Sequence, residues 1–272
     1  WNPWHNLAAE KYLADQIGEG DVVLYLWQND HTVVIGRNQN AVRECRAQLL
    51  EEEGGFLARR TTGGGAVYQD LGNLCFTFIA SPERYDLEKQ LGVIQAACRK
   101  FGIETRFSGR NDVITEDGFK FSGNAFSKTS RCSIQHGTLM IDVDISRLGR
   151  YLTPSKEKMK AKGVKSVQSR VCNLKELNPA VTADAMRQAL KESFFEIYGD
   201  FTELDPAQLD NPEVQETYDL YSSWEWRYGK SPECETSYAH RFDWGEVEIW
   251  LKLHAMRISE IKIYSDALDV EL

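Results

Sequence analysis

The sequence has no apolar run long enough to cross a membrane. Its longest, such as VVLYLW and TVVIG, are strand-sized, whereas a spanning helix requires about 20 residues. It also has no Cys-x-x-Cys pair. The six cysteines stand at 45, 75, 98, 132, 172 and 234 without regular spacing, which argues against a zinc site or a disulfide framework and fits a reducing cytoplasm. A positive balance is missing too: the formal charge of −9 argues against a general nucleic-acid binder, although it leaves room for a local cationic site. No leader peptide, internal repeat or low-complexity segment is visible. The chain opens inside what reads as an element, so a few residues, and any targeting information with them, are expected to precede Trp1.

What is present suits a globular enzyme-sized chain: 272 residues, 42% of them hydrophobic. Asn2 and Pro3 read as the cap and first position of a helix in which Trp4, Ala8, Tyr12 and Ala9, Leu13, Ile17 recur at helical spacing, with Gly18 as its stop. DVVLYLW and HTVVIG read as two strands around a turn, and a helix is predicted from about Asn40 to Glu53 before Gly54 and Gly55. FLARR, LCFTFIA and HGTLMIDVD read as strands. Leu87, Leu91, Ile94, Cys98 and Phe101 mark another helix, and a long one is predicted from a Thr182 cap to Tyr198. Strands and helices follow no βαβ period, which favours an α+β fold, a mixed or antiparallel sheet flanked by helices. Beyond about residue 235, Val247, Ile249, Leu251 and Leu253 alternate as in a strand, then Ile258, Ile261 and Ile263 less regularly, the hairpin of a second small module.

One stretch stands out as chemistry: Arg59 to Asn73, RRTTGGGAVYQDLGN. Consecutive glycines are entropically costly in any regular element, so either a tight turn or a ligand explains them. Absent side chains let a ligand lie against main-chain N–H groups turned into an anion-binding concavity. Arg59 and Arg60 add fork-shaped donors suited to phosphate or carboxylate, and Thr61 and Thr62 add hydroxyls. GxxxxGK[ST] and GxGxxG are both absent, so the run is neither a Walker A loop nor a dinucleotide-binding turn. Downstream, SGRNDVI places Arg110, Asn111 and Asp112 at a strand entry, and FKFSGNAF places Lys120 ahead of a small-residue turn. Taken alone, that lysine either alternates outward from a strand or is aimed into a pocket.

In their order, PWHNLAAEKYL, VVIGRNQN, RRTTGGGAVYQDLGN, SGRNDV, KFSGNA, HGTL, KGVKSVQSRVCNL and SSWEWRYG closely resemble bacterial lipoate–protein ligase A, over nearly the whole chain. The resemblance implies a catalytic core of the class shared with biotin ligases and class II aminoacyl-tRNA synthetases over residues 1–235, and residues 236–272 as the incomplete start of an accessory domain. It implies that lipoate and ATP, with Mg²⁺, give lipoyl-AMP, whose lipoyl group passes to a lysine of an apo lipoyl domain of a 2-oxoacid dehydrogenase complex or of the glycine-cleavage H protein. No nucleic acid or membrane partner is implied, and a cytoplasmic location is. By matching motif, Arg60, Gly65, Ala66, Val67, Tyr68, Asn111 and Asp112 correspond to the ATP side, Asp112 as a candidate Mg²⁺ ligand or a plain strand-entry cap. Trp27, Thr62, Gly64, Val67 and His136 correspond to the lipoate side, where core packing explains each apolar one equally well. Lys120 touches both substrates and is the expected catalytic group. Lys162, Ser166 and Arg170 correspond to a loop that folds over the adenylate.

Two departures from the family pattern stand in the glycine block, where Tyr68 and Gln69 replace Phe and His; a glutamine cannot ionise, so no acid or base role is expected at 69. Two rivals follow: an ATP-independent lipoyl or octanoyl transferase, some of which use a cysteine, and a non-catalytic lipoate- or acceptor-binding protein. Cys75 lies in an apolar strand and is expected to be buried and inert.

Overall fold

The computed structural model describes residues 1–109, 111–153, 171–229, 236–254 and 257–270. Its first element, α1 (Pro3–Gln16), begins where Asn2 accepts the amides of Trp4 and His5 and Pro3 presets the first turn. The largest sheet has six strands in the order β1 (Val22–Trp27), β5 (Asn73–Ala80), β9 (Ser133–Met140), β8 (Lys120–Lys128), β7 (Asp112–Thr115) and β6 (Thr105–Phe107), each pair antiparallel. A second sheet sets β2 (Thr32–Ile35) between β3 (Phe56–Arg59), which runs parallel to it, and β4 (Val67–Gln69), which does not. The expected mixed α+β architecture is thus what forms, with the two strands read around Gln28 to Asp30 belonging to different sheets.

Every residue of β5 is buried, and its two faces serve different layers. Leu74, Phe76 and Phe78 pack with residues of α4 (Leu87–Arg99) and of the long helix Ala183–Tyr198 in one core cluster. The intervening Cys75 joins the cluster of Leu7 and Ala8 from α1, and Ile79 that of Leu13 and Ala14. This is the two-residue alternation of a strand covered on both sides, and it turns Thr77 toward α1.

The single helix expected from Asn40 to Glu53 is instead two short ones, α2 (Ala41–Glu44) and α3 (Ala47–Glu52). Cys45 breaks the run: its extended backbone bridges Leu152, just after α5 (Ile145–Tyr151), and a tertiary bridge there overrides local propensity. The chain continues through α6 (Leu174–Leu177), α7 (Ala183–Tyr198), α8 (Pro212–Ser222) and α9 (Trp224–Tyr228). α7 has the Thr182 cap and the Gly199 stop read from the sequence.

The expected C-terminal hairpin has three strands: β10 (Thr236–Arg241), β11 (Glu246–His254) and β12 (Arg257–Ser265), antiparallel in that order. One face carries the alternating Tyr238, Ile249 and Ile263 in register, of which Tyr238 and Ile263 are exposed. The other meets α2, where Arg43 pairs with Glu248 at 2.5 Å and Glu246 at 3.4 Å. Among the described residues no helix is long and apolar enough to cross a membrane.

Candidate active site

Both arginines of the RR pair turn their donors onto their own chain. From the end of β3, Arg59 donates to the carbonyls of Gly36, Arg37 and Gln39 through Nη1, of Trp226 through Nε and of Arg227 through Nη2, at 2.7 to 3.2 Å. It therefore clamps α9 to the turn after β2. Arg60 donates to Thr62 Oγ1 at 3.1 Å, to the carbonyl of Gly63 at 2.6 Å from Nη2, to that of Gly65 at 2.9 Å and to that of Val34 at 3.3 Å. Burial pushes both guanidinium groups down to about 10, yet a guanidinium so placed stays charged at neutral pH. The forks that read as anion ligands serve their own chain, Arg59 joining α9 to the β2 turn and Arg60 shaping the glycine run.

That run has one glycine for each of three reasons. A Cβ at Gly63 would stand 2.2 Å from the carbonyl oxygen of Ala267, so only glycine admits the chain that follows β12. Gly64 lies at φ +92°, a conformation that favours glycine, and its amide donates to that same Ala267 oxygen at 2.8 Å. Gly65 has nothing within 4 Å of its Cβ position, and is the member open to close approach by another molecule. The tail is fixed further by Ser265 N donating to the Asn38 carbonyl at 2.7 Å.

After the run, β4 alternates. Val67 packs in the cluster of Trp27, Ala58 and Cys75, while Ala66 and Tyr68 pack with Met140, Val143 and Tyr151. The Tyr68 ring stacks on Tyr151, its hydroxyl takes a bond from Arg147 at 3.2 Å, and burial pushes its phenol up to about 12. Gln69 is buried and accepts from Asn29 Nδ2 at 2.7 Å. The two family departures are thus each absorbed by a partner in this chain.

Lys120 opens β8 at a bulge. Val113 faces Ser122 and Ile114 faces Lys120, so Phe121 is the extra residue and is itself fully buried. Bulges re-aim side chains. Here the ammonium bends along its own strand, with Nζ 2.6 Å from Asp112 Oδ1 and 3.2 Å from where a Cβ on Gly123 would be. The lysine is partly exposed at 37% and Asp112 at 28%, so the charge is held without being sealed in. Asn111 ties the two strands, its side-chain amide donating to the Asn124 carbonyl at 3.3 Å and its own carbonyl accepting Asn124 N at 2.7 Å. Val171 bridges Lys120 in parallel, and Cys172 N donates to the Lys120 carbonyl at 3.0 Å. Lys162, Ser166 and Arg170, like Arg110, lie outside the described residues.

On the α1 side of the sheet, Thr77 of β5 and His136 of β9 are direct cross-strand partners. His136 Nε2 lies 2.7 Å from Thr62 Oγ1 and Nδ1 lies 2.8 Å from Glu10 Oε1. Thr77 Oγ1 donates to the same Glu10 oxygen at 2.6 Å and accepts from Trp27 Nε1 at 3.1 Å. Burial alone would push the Glu10 carboxyl up, but His136, Thr77 and Arg60 together hold it below its usual value. Three residues expected on the lipoate side, Trp27, Thr62 and His136, are therefore joined by two that sequence reasoning missed. The signal for Glu10 was there: a carboxylate in the apolar register of α1, between Leu7 and Ala14. Thr77, inside LCFTFIA, gave none beyond being the one hydroxyl in the run.

One step along β9, Gly137 faces Asn124, and a Cβ on it would stand 2.8 Å from the Gly123 carbonyl. His136 faces Ala125, two residues on from Gly123, which the Lys120 ammonium overlies. Among the described residues no group of three His, Cys, Asp or Glu is placed to hold a metal ion. Asp112 is a single carboxylate, which suits a magnesium ion that brings phosphate oxygens with it and not one caged by protein. Cys75 is fully buried, accepts from Asn73 Nδ2 at 3.4 Å, and has its thiol pushed up by burial.

Residues 2–195 match the family described as the lipoyl protein ligase A/B catalytic domain, and residues 231–272 match the bacterial lipoate protein ligase C-terminus. The chain is 42% identical over 280 residues to lipoate-protein ligase A of Psychrobacter cryohalolentis, with all of this chain and 82% of the relative covered. Among solved structures it is similar to Plasmodium falciparum LipL1 in complex with lipoate, at 33% identity and a TM-score of 0.83 over 99% of this chain and 83% of the other. It is also similar to a lipoate-protein ligase A bound with ATP, at 26% identity and a TM-score of 0.72 over 84% and 94%.

Proposed function

Since the chain belongs to the lipoyl protein ligase A/B family, we propose a division of labour within its site. The protein is an ATP-dependent lipoate–protein ligase: it joins lipoate to AMP, releases pyrophosphate, and passes the lipoyl group to a lysine of a lipoyl domain. The acceptors proposed are the lipoyl domains of 2-oxoacid dehydrogenase complexes and the glycine-cleavage H protein, met in the cytoplasm. Residues 1–235 carry the chemistry, and 236–272 assist it.

What supports Lys120 as the catalytic group is its ammonium, re-aimed by a bulge, half-open, and paired with Asp112. Lipoate's carboxylate takes over part of that pairing and attacks the α-phosphate, and pyrophosphate leaves. In transfer, the acceptor amine attacks the acyl carbon, Lys120 stabilises the oxyanion that forms, and AMP leaves. Gly65, Ala66, Val67 and Tyr68 line the ATP side, with Arg60 holding the run in shape and Asn111 and Asp112 beside the phosphates. Trp27, Thr62, Gly64, Val67 and His136 line the lipoate side, and Lys162, Ser166 and Arg170 are assigned to the adenylate.

Asp112 is the carboxylate that would hold Mg²⁺, which would supply positive charge against the phosphates. Asp112→Asn is accordingly expected to raise the Mg²⁺ concentration for half-maximal activity by roughly tenfold; an unchanged Mg²⁺ requirement assigns Asp112 to Lys120 alone. Cys75→Ala is expected to leave both half-reactions within about twofold, because a buried thiol is not a nucleophile. Abolition would reinstate a cysteine-based transferase.

The test of the whole is lipoate-dependent ATP–pyrophosphate exchange followed by transfer to an apo lipoyl domain. Both should occur with the 272-residue chain. Transfer from supplied lipoyl-AMP without exchange would make it an ATP-independent transferase, and neither would make it a binding protein.

A further inference from the structure

Hydrogen-bond direction in the buried cluster follows from which groups can only donate and which can only accept. Arg60 Nε has no lone pair, so Thr62 Oγ1 accepts from it at 3.1 Å and has a single hydrogen to give. The ionised Glu10 Oε1, 2.8 Å from His136 Nδ1, can only accept, so the ring hydrogen sits on Nδ1 and the bare Nε2 of the neutral ring takes the Thr62 hydrogen at 2.7 Å. On the other arm Trp27 Nε1 can only donate, Thr77 Oγ1 accepts, and the threonine hydrogen goes to the same Glu10 oxygen. Two chains of donors, one starting at the glycine run and one at the indole, end on one carboxylate that accepts and never donates.

We propose that Glu10 is a positioning residue for the lipoate side of the site, fixing the His136 tautomer and, through Thr77, the Trp27 indole. This rests on the placement of Trp27, Thr62 and His136 beside lipoate. Glu10 is 3% exposed on α1, so it acts through these three side chains and not on the substrate. A buried carboxylate costs a fold much unless its oxygens are satisfied. Here it is satisfied by the Nδ1–H of His136 and the Thr77 hydroxyl, so a carboxylate in the apolar face of α1 has a use. Arg60, whose positive charge also helps to hold the carboxyl ionised, connects the same device to the conformation of Gly63 and Gly65.

Glu10→Met matches the shape and removes the acceptor. It is expected to raise the KM for lipoate about tenfold or more, the cost of leaving buried donors unmet, with kcat at saturating lipoate changed less than about threefold. Glu10→Gln, which can still accept, should recover most of the loss. The His136 nitrogens report direction: in the unaltered chain ¹⁵N spectra should show hydrogen on Nδ1 and a bare Nε2, and Glu10→Met should populate the Nε2–H form. Thr77→Val should raise the lipoate KM less and leave the His136 spectrum unchanged; it decides the matter should Glu10→Met fail to fold. An unaltered lipoate KM in Glu10→Met or Thr77→Val, no rescue by glutamine, or a native His136 protonated on Nε2 overturns the proposal. His136→Ala separates causes: if it leaves the lipoate KM unchanged, the lipoate-side placement has failed and the positioning role with it, whatever the spectrum shows.

Discussion

Replacing Lys120 by alanine is expected to lower both lipoate-dependent ATP–pyrophosphate exchange and transfer from supplied lipoyl-AMP by roughly a hundredfold to a thousandfold, the loss typical of deleting one preorganised donor to a developing oxyanion. The two reactions should fall together. In each, negative charge gathers at the acyl carboxyl: first as lipoate's carboxylate is brought against the α-phosphate, then on the carbonyl oxygen as the anhydride is attacked. The substitution should leave the fold intact, because the ammonium is 37% exposed and its ion-pair partner Asp112 is 28% exposed. Melting temperature within a few degrees, with both half-reactions lost, is the diagnostic pair. Near-normal transfer from supplied adenylate would confine the lysine to the first step.

Arg60→Met should fail differently. Its donors hold the carbonyls of Val34, Gly63 and Gly65 and the Thr62 hydroxyl inside a buried loop. Their loss leaves several acceptors unmet and Glu10 without a nearby positive charge, so an unfolding free energy lower by roughly 3–5 kcal/mol is expected in urea titration. Such a loss is a large part of the stability of an ordinary domain. Activity should collapse with it, and Arg60→Lys should rescue little, since an ammonium cannot serve acceptors spread around a planar fork. A variant of native stability with only its KM for ATP raised would return Arg60 to the role of a direct nucleotide contact.

That contrast marks what was legible in the sequence. Caps at Asn2 and Thr182, the strand FLARR and the absence of a βαβ rhythm were readable because local chemistry alone determines them. The break of the Asn40–Glu53 helix was not, since it depends on Leu152 reaching Cys45 from more than a hundred residues away. The same limit applies to the site. Residue types at 59 and 60 announce forked cations, but not whether the forks face a ligand or their own carbonyls, which only the fold decides. Lys120 could be placed in a strand, while the bulge that turns it belongs to a pairing register no single segment encodes. Glu10 was hidden by the opposite error, a charged residue passed over because its neighbours were apolar.

The contact between the glycine run and the chain after β12 is made by peptide groups on both sides: Gly64 N to Ala267 O, with the main chain of Ala267 and Leu268 lying over Gly63. Such a junction cannot tell one side chain from another. In related chains, heritable drift should therefore be lopsided across it, with the covering segment, apart from the buried Ala267, freer to change its residues so long as its trace and length persist, and position 63 held to a single choice. An alanine at 63 would act as a wedge, prising the C-terminal module from the catalytic layer while leaving every charged group of the site in place.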